Sequence, residues 1–192
     1  MEVIRDILMN PVKAILKAKK DRNMNKTLLI LVISWIMVGI SFSFTLYRIG
    51  TPLIALSSAL AIFLFGILFS LFYGYIINIV MNVLGGKGKY YDGLTAATYS
   101  SLPISIGILV TTILSFINVV LGGLLGFLAL AITTALSLSI YFRAIKEFYS
   151  TDMVVTFVGF LVTIYVLMIA IYLSLGFSIG SSIFTMFPNQ MV

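Results

Sequence analysis

The residues able to do chemistry fall into three groups. Gly85-Gly86-Lys87-Gly88-Lys89 is a glycine-lysine run. Asn78 and Asn82 precede it, and Asp92, Tyr99-Ser100-Ser101 and Pro103 follow it. Lys13, Lys17, Lys19 and Lys20 form a separate basic group. The glycine-lysine run invites comparison with a phosphate loop. That chemistry needs Gly-x-x-x-x-Gly-Lys-Ser/Thr, in which backbone N–H groups and a hydroxyl hold phosphate and Mg²⁺. Here Tyr90 follows Lys89, and an apolar stretch with no strand character precedes the run, so nucleotide binding is not supported. Two readings remain for the run. The glycines end a helix in the left-handed conformation, with lysines at its negative dipole end. Alternatively, the same groups contact lipid headgroups or a partner protein.

Catalytic constellations are missing. His and Cys both count 0, which removes the usual general base, the thiol nucleophile and the commonest transition-metal ligands. An intramembrane aspartyl protease needs two carboxylates sharing a proton. Asp92 and Asp152 each stand at the edge of an apolar stretch, and no acid lies within one. A serine protease would want Lys or His near a buried Ser, and none is present at depth. Asp92 reads as an N-cap or first-turn residue of a helix. The expectation is a protein without catalytic activity, cofactor or metal.

Apolar residues make up 61% of the 192-residue chain and charged residues 9%. A soluble domain carries about 25% charged residues. With a mean hydropathy of +1.17, the chain reads as a polytopic helical membrane protein. Its pI near 9.6 does not make it a nucleic-acid binder. The charged residues sit in islands, and the stretches between them set five spans at about 27–47, 53–83, 98–118, 124–142 and 154–175. The first, 21 residues, covers roughly 30 Å, one hydrocarbon core. A tight turn at 118–123, containing Gly122-Gly123, is expected between the third and fourth spans. Residues 176–192 form a more polar outer tail. With the N-terminus inside, every basic residue except Arg48 falls on the inner side, as the positive-inside rule requires. The predicted fold is therefore an all-α bundle of five transmembrane helices, N-terminus inside and C-terminus outside.

Residues 1–26 show Val3, Ile4, Ile7, Leu8, Val12, Ile15 and Leu16 at helical spacing, with Lys13, Lys17 and Lys20 on another face. Asn10-Pro11 should interrupt this helix. One reading is an amphipathic segment in the inner headgroup layer, its lysines toward anionic lipid. The other is a basic flank needed only for insertion. Tyr99, Ser100 and Ser101 either line a polar vestibule with Asn78 and Asn82 or satisfy carbonyls freed by Pro103. Small residues recur at four-residue spacing, as Gly66, Ser70, Gly74, then Gly122, Gly126, then Ala131, Ala135, Ser139. They serve close packing inside the bundle or a homodimer.

The stretch from Tyr75 to Tyr90, with its Gly85-Gly86-Lys87-Gly88, runs into Asp92 and Tyr99-Ser100-Ser101-Leu102-Pro103. Together these resemble the signature of the Yip1 domain family of integral membrane proteins. Asn10-Pro11 and Tyr141-Phe142-Arg143-Ala144-Ile145-Lys146-Glu147-Phe148-Tyr149 resemble the family's start and its loop between spans four and five. The resemblance covers roughly residues 8–175 and implies five spans with a cytosolic N-terminus. Eukaryotic members are adaptors in vesicle traffic that associate with Rab-type GTPases through long cytosolic heads. This chain has about 26 residues before its first span and resembles a short prokaryotic member in the cell membrane. The function expected is lateral contact with lipids, anionic headgroups of the inner face among them, with other membrane proteins or with a second copy. The alternative is a small transporter or channel component with a polar path between spans two and three.

Overall fold

Proline and asparagine punctuate the chain into helices. The computed structural model describes residues 2–48 and 50–186, with side chains from Val3 to Tyr172. Helix α1 is Glu2–Met9 and α2 is Pro11–Asp21. Asn10 stands between them and its side chain accepts the Lys13 N–H (3.3 Å), with Pro11 in the first turn, where a missing N–H costs nothing. Asn23 caps α3, Met24–Tyr47, by accepting from Lys26 N (3.2 Å). Thr51 caps α4, Pro52–Val83. Helix α5, Tyr90–Ile117, is followed by α6, Val119–Tyr149, and α7, Met153–Met186, whose first turn is capped by Asp152 (2.7 Å to Val155 N). Helices α3 to α7 are long and apolar enough to cross a membrane, so the protein is an all-α bundle of five membrane-spanning helices.

The turn between α5 and α6 is shorter than the sequence implies. Asn118 alone makes it. Its side chain accepts from Val120 N and Leu121 N (3.0 and 2.9 Å), and its own N–H closes α5 on Leu114 O (3.1 Å). Gly122 and Gly123 lie inside α6 instead. A Cβ on Gly122 would collide with the Leu114 carbonyl, so the glycine belongs to a close crossing rather than a turn. The zipper continues down the pair. Thr111 Oγ1 bonds both the Gly107 and Gly126 carbonyls (2.8 and 2.9 Å), Gly107 packs on Thr133, and Ser137 Oγ donates to the Ser100 carbonyl.

Helix α5 is the central element, packed on α3, α4 and α6. Gly66 and Ser70 of α4 receive Trp35 of α3, whose indole N–H donates to Ser70 Oγ (2.8 Å). Gly74 packs on the backbone of Leu94. These small residues serve packing inside the bundle, as do Gly122 and Gly126. Ala131, Ala135 and Ser139 differ, since all three are exposed on the outer face of α6. Phe65 and Val110 point outward, 69% and 37% exposed, and the interior is held by Trp35, Ser105 and the Gly107–Thr133 contact.

Helix α7 packs through its first half. Phe157 and Phe160 meet Phe142 and Tyr141 of α6, and Gly159 lies against Met81 of α4. Its helix continues past residue 175 to Met186. The side chains expected in the outer tail, from residue 176 on, lie outside the described residues.

Candidate functional site

Arg48 stands apart from every other basic residue of the sequence. Its guanidinium caps the end of α5 by donating to Ser115 O (3.2 Å) and Phe116 O (2.8 Å), and it stacks 4.1 Å over the Phe116 ring. The remaining polar islands are drawn together at the opposite end of the bundle, called here the basic end. Lys19 Nζ donates to the Glu147 carbonyl. Arg22 pairs with Asp92 (3.2 Å). Lys87 N donates to Tyr149 O (3.0 Å).

Tyr149 organises this end. It is fully buried, and the 85–89 loop wraps around it. Helix α4 stops in a Schellman arrangement, with Gly85 N to Asn82 O (3.1 Å) and Gly86 N to Met81 O (2.8 Å). Gly85 adopts φ +86°, a conformation that costs a side-chain-bearing residue energy. Gly86 then passes the Cβ of Tyr149, Gly88 passes its ring, and Gly93 passes its hydroxyl. That hydroxyl donates to Asn78 Oδ1 (3.3 Å). The glycines of the run thus make room for a tyrosine, while Lys87 and Lys89 are exposed. The helix-ending reading of the run has a geometric basis.

Asp92 is the third residue of α5 and its carboxylate Oδ2 accepts the Lys89 N–H (2.8 Å). The lysine cannot reciprocate, because an ammonium has no acceptor. Asp92 is fully buried, and among the described residues its other oxygen has no hydrogen-bond partner. Nearby, Thr27 of α3 meets Thr95 of α5 (3.2 Å).

The vestibule residues are distributed among separate sites. Asn82 donates to Asn78 (3.2 Å), and that pair serves Tyr149. Tyr99 turns toward α2 and lines a cavity of only about 10 Å³ with Tyr91, Lys17 and Asp21. Ser100 and Ser101 donate to the Ala97 and Thr98 carbonyls of their own helix (2.9 Å each). Pro103 sits within α5, where it leaves the Tyr99 carbonyl without its helical donor. Trp35, Arg22 and Tyr149 were not among the residues singled out as a site from sequence. The signal available for Tyr149 was the spacing of Gly86, Gly88 and Gly93, three vacancies that demand one large neighbour.

The N-terminal helices have two faces. Ile7, Ala14, Ile15 and Ala18 are buried in one cluster with Ile77, Met81, Tyr141 and Tyr149 of the bundle. Burying an isoleucine is worth about 1.5–3 kcal/mol against leaving it in water, so this face outweighs a surface ion pair of about 0–1 kcal/mol. The other face exposes Met9 (83%), Val12 and Leu16 beside exposed Lys13, Lys17 and Lys20. Lys19 faces the bundle instead.

The family model for the Yip1 domain matches residues 5–177. The chain belongs to the Yip1 domain family. The match takes in α1, α2 and the five spanning helices, so this Yip1-domain protein is a multi-pass, non-catalytic membrane protein. Among the described residues no three His, Cys, Asp or Glu side chains gather into a metal site. Comparison with curated proteins and with solved structures returned no significant match.

Proposed function

We propose that this Yip1-domain protein acts by lateral contact with lipids and other membrane proteins, in the cell membrane of a prokaryote. Its basic end faces the cytoplasm, with the N-terminus inside and the C-terminus outside. The observation that carries this reading is the division of α2. One face is docked on the bundle through Ala14, Ile15 and Ala18, and the opposite one presents Val12 and Leu16 with Lys13, Lys17 and Lys20. A helix held this way at the edge of a bilayer would lay its apolar pair among the acyl chains and its ammonium groups among anionic phosphates. Lys87 and Lys89 are also exposed at the basic end. An adaptor role fits a protein whose polar groups serve its own helices rather than a substrate.

The test uses the full chain in bilayers of mixed neutral and anionic phospholipid, with a spin label on one lipid class at a time. The anionic lipid should be enriched among the motionally restricted molecules around the protein. Replacing Lys13, Lys17 and Lys20 by Gln should remove much of that enrichment, since each surface lysine contributes about 1 kcal/mol, and high salt should do the same. Equal restriction of both lipid classes by the parent protein would end the electrostatic part of the proposal.

A further inference from the structure

A cavity of about 220 Å³ lies in the body of the bundle, and all five spanning helices line it. Trp35 comes from α3, Tyr73 from α4, Ser101 from α5, Ser137 and Leu138 from α6, and Phe160 from α7. Tyr73 stands ten residues before the end of α4 and Ser101 eleven after the start of α5. At 1.5 Å per residue, that places the cavity roughly 15 Å from the basic end, in the hydrocarbon of a bilayer. It opens sideways, because Leu138 at its edge is 40% exposed on the outer surface of α6. A ladder of rings runs along one face of α4 down to the cavity. Phe65, 69% exposed, stacks on Phe69, Phe69 on Tyr73, and Tyr73 on buried Tyr141, at 6.1, 6.1 and 6.4 Å.

The serine hydroxyls in the wall are engaged, and the Tyr73 and Tyr141 hydroxyls bond each other. Ser100 and Ser101 donate to carbonyls of α5, Ser137 donates to Ser100 O, and Ser70 holds the Trp35 indole. No charged side chain lines the space. A polar solute would lose its hydration there without gaining donors of its own, whereas a hydrocarbon chain loses nothing. The volume is below the roughly 300–1,000 Å³ usual for a whole small-molecule ligand, and suits one end of a chain.

We infer that this cavity takes the acyl chain of a membrane phospholipid, entering between α4 and α6 along the Phe65–Phe69–Tyr73 ladder. The inference deepens the lateral-contact reading and names the lipid part it holds. It is separable from the contact of α2 with anionic headgroups, which the spin-label measurement tests alone.

Trp35 is the single tryptophan of the chain, so it reports on its own cavity. The protein is reconstituted in phosphatidylcholine brominated near the headgroup, at mid-chain or at the chain end, and Trp35 fluorescence is measured. Bromine at mid-chain should quench most. Ser101→Phe fills the cavity and should cut that quenching by about half. Leu138→Ala, at an exposed position that tolerates truncation, widens the mouth and should raise it. Quenching that neither variant changes would reflect only bulk lipid around the bundle and would overturn the inference. Quenching by acrylamide from the water phase as strong as by mid-chain bromine would also overturn it, by making the cavity aqueous, and would favour a transport path. If both arms fail while anionic lipid is still enriched around α2, the acyl-chain site falls and the headgroup contact stands.

Discussion

Gly88 lies against the ring of Tyr149 in the space its own side chain would occupy. The contact ties the loop after α4 to the last residue of α6, and the Lys87 N–H to Tyr149 carbonyl bond (3.0 Å) closes it from the other side. Gly88→Val should therefore destabilise by about 1–3 kcal/mol, the usual cost of overpacking. Tyr149→Phe keeps the ring and loses only the hydroxyl's shared bond to Asn78 Oδ1 and Lys89 O (3.3 and 3.5 Å), worth about 0.5–1.5 kcal/mol. Thermal unfolding in detergent, followed by size-exclusion profile, should rank the two in that order. A Gly88→Val protein as stable as the parent would refute the packing argument.

The Arg22–Asp92 pair links the end of α2 to the start of α5 across a half-exposed guanidinium and a fully buried carboxylate. Removing either partner should loosen the N-terminal helices, and Arg22→Ala should cost more than an ordinary surface ion pair because it leaves Asp92 buried with only the Lys89 N–H. Arg22→Ala, Asp92→Asn and the double variant should be non-additive by about 1 kcal/mol. Trypsin cleavage after Lys17 or Lys20 should accelerate in each variant. Strict additivity would mean that the two groups do not interact.

Trp35 depends on Gly66 for space and on Ser70 for a hydrogen bond (2.8 Å). Ser70→Ala should shift the emission maximum to the blue, with a stability loss of about 0.6 kcal/mol, the average of interhelical bonds in membranes. Gly66→Leu should expel the indole and lower stability further. Unchanged emission in both variants would show that the indole sits elsewhere.

Topology is open to direct labelling, because the chain contains no cysteine. A cysteine replacing Lys87 should react with an impermeant thiol reagent only after the membrane is breached. One replacing Thr51, at the opposite end, should react in intact cells. The inverse pattern would reverse the assignment of the basic end, and reaction of both from the same side would remove the crossing by α4.

Four charge-free stretches between charged islands, one of them long enough for two spans, were enough to set the number of membrane helices, because the bilayer fixes span length and charge cannot enter it. Caps were equally local. Asn10 before Pro11 and the glycines at the end of α4 end their helices as their own backbone preferences dictate. The family signature around Gly85 to Pro103 was also readable, since it is carried by adjacent residues.

Which surfaces meet was decided by tertiary packing. Hydropathy cannot assign faces when a helix is apolar all round, so nothing local distinguished the buried Gly126 from the exposed Ala131. The short Asn118 turn depended on a Gly122 contact with Leu114, a residue of the preceding helix. Asn78 and Ser101 look alike as polar residues near the ends of spans, yet one serves Tyr149 and the other its own helix. Those choices rest on partners dozens of residues away, Tyr149 being 71 positions from Asn78. The sequence alone determined the number of spanning helices and several of their caps, because hydrophobic length and capping are properties of neighbouring residues. Only the folded bundle decided the cavity, the hub and the docking of α2, because each is made of side chains that meet only when distant helices pack.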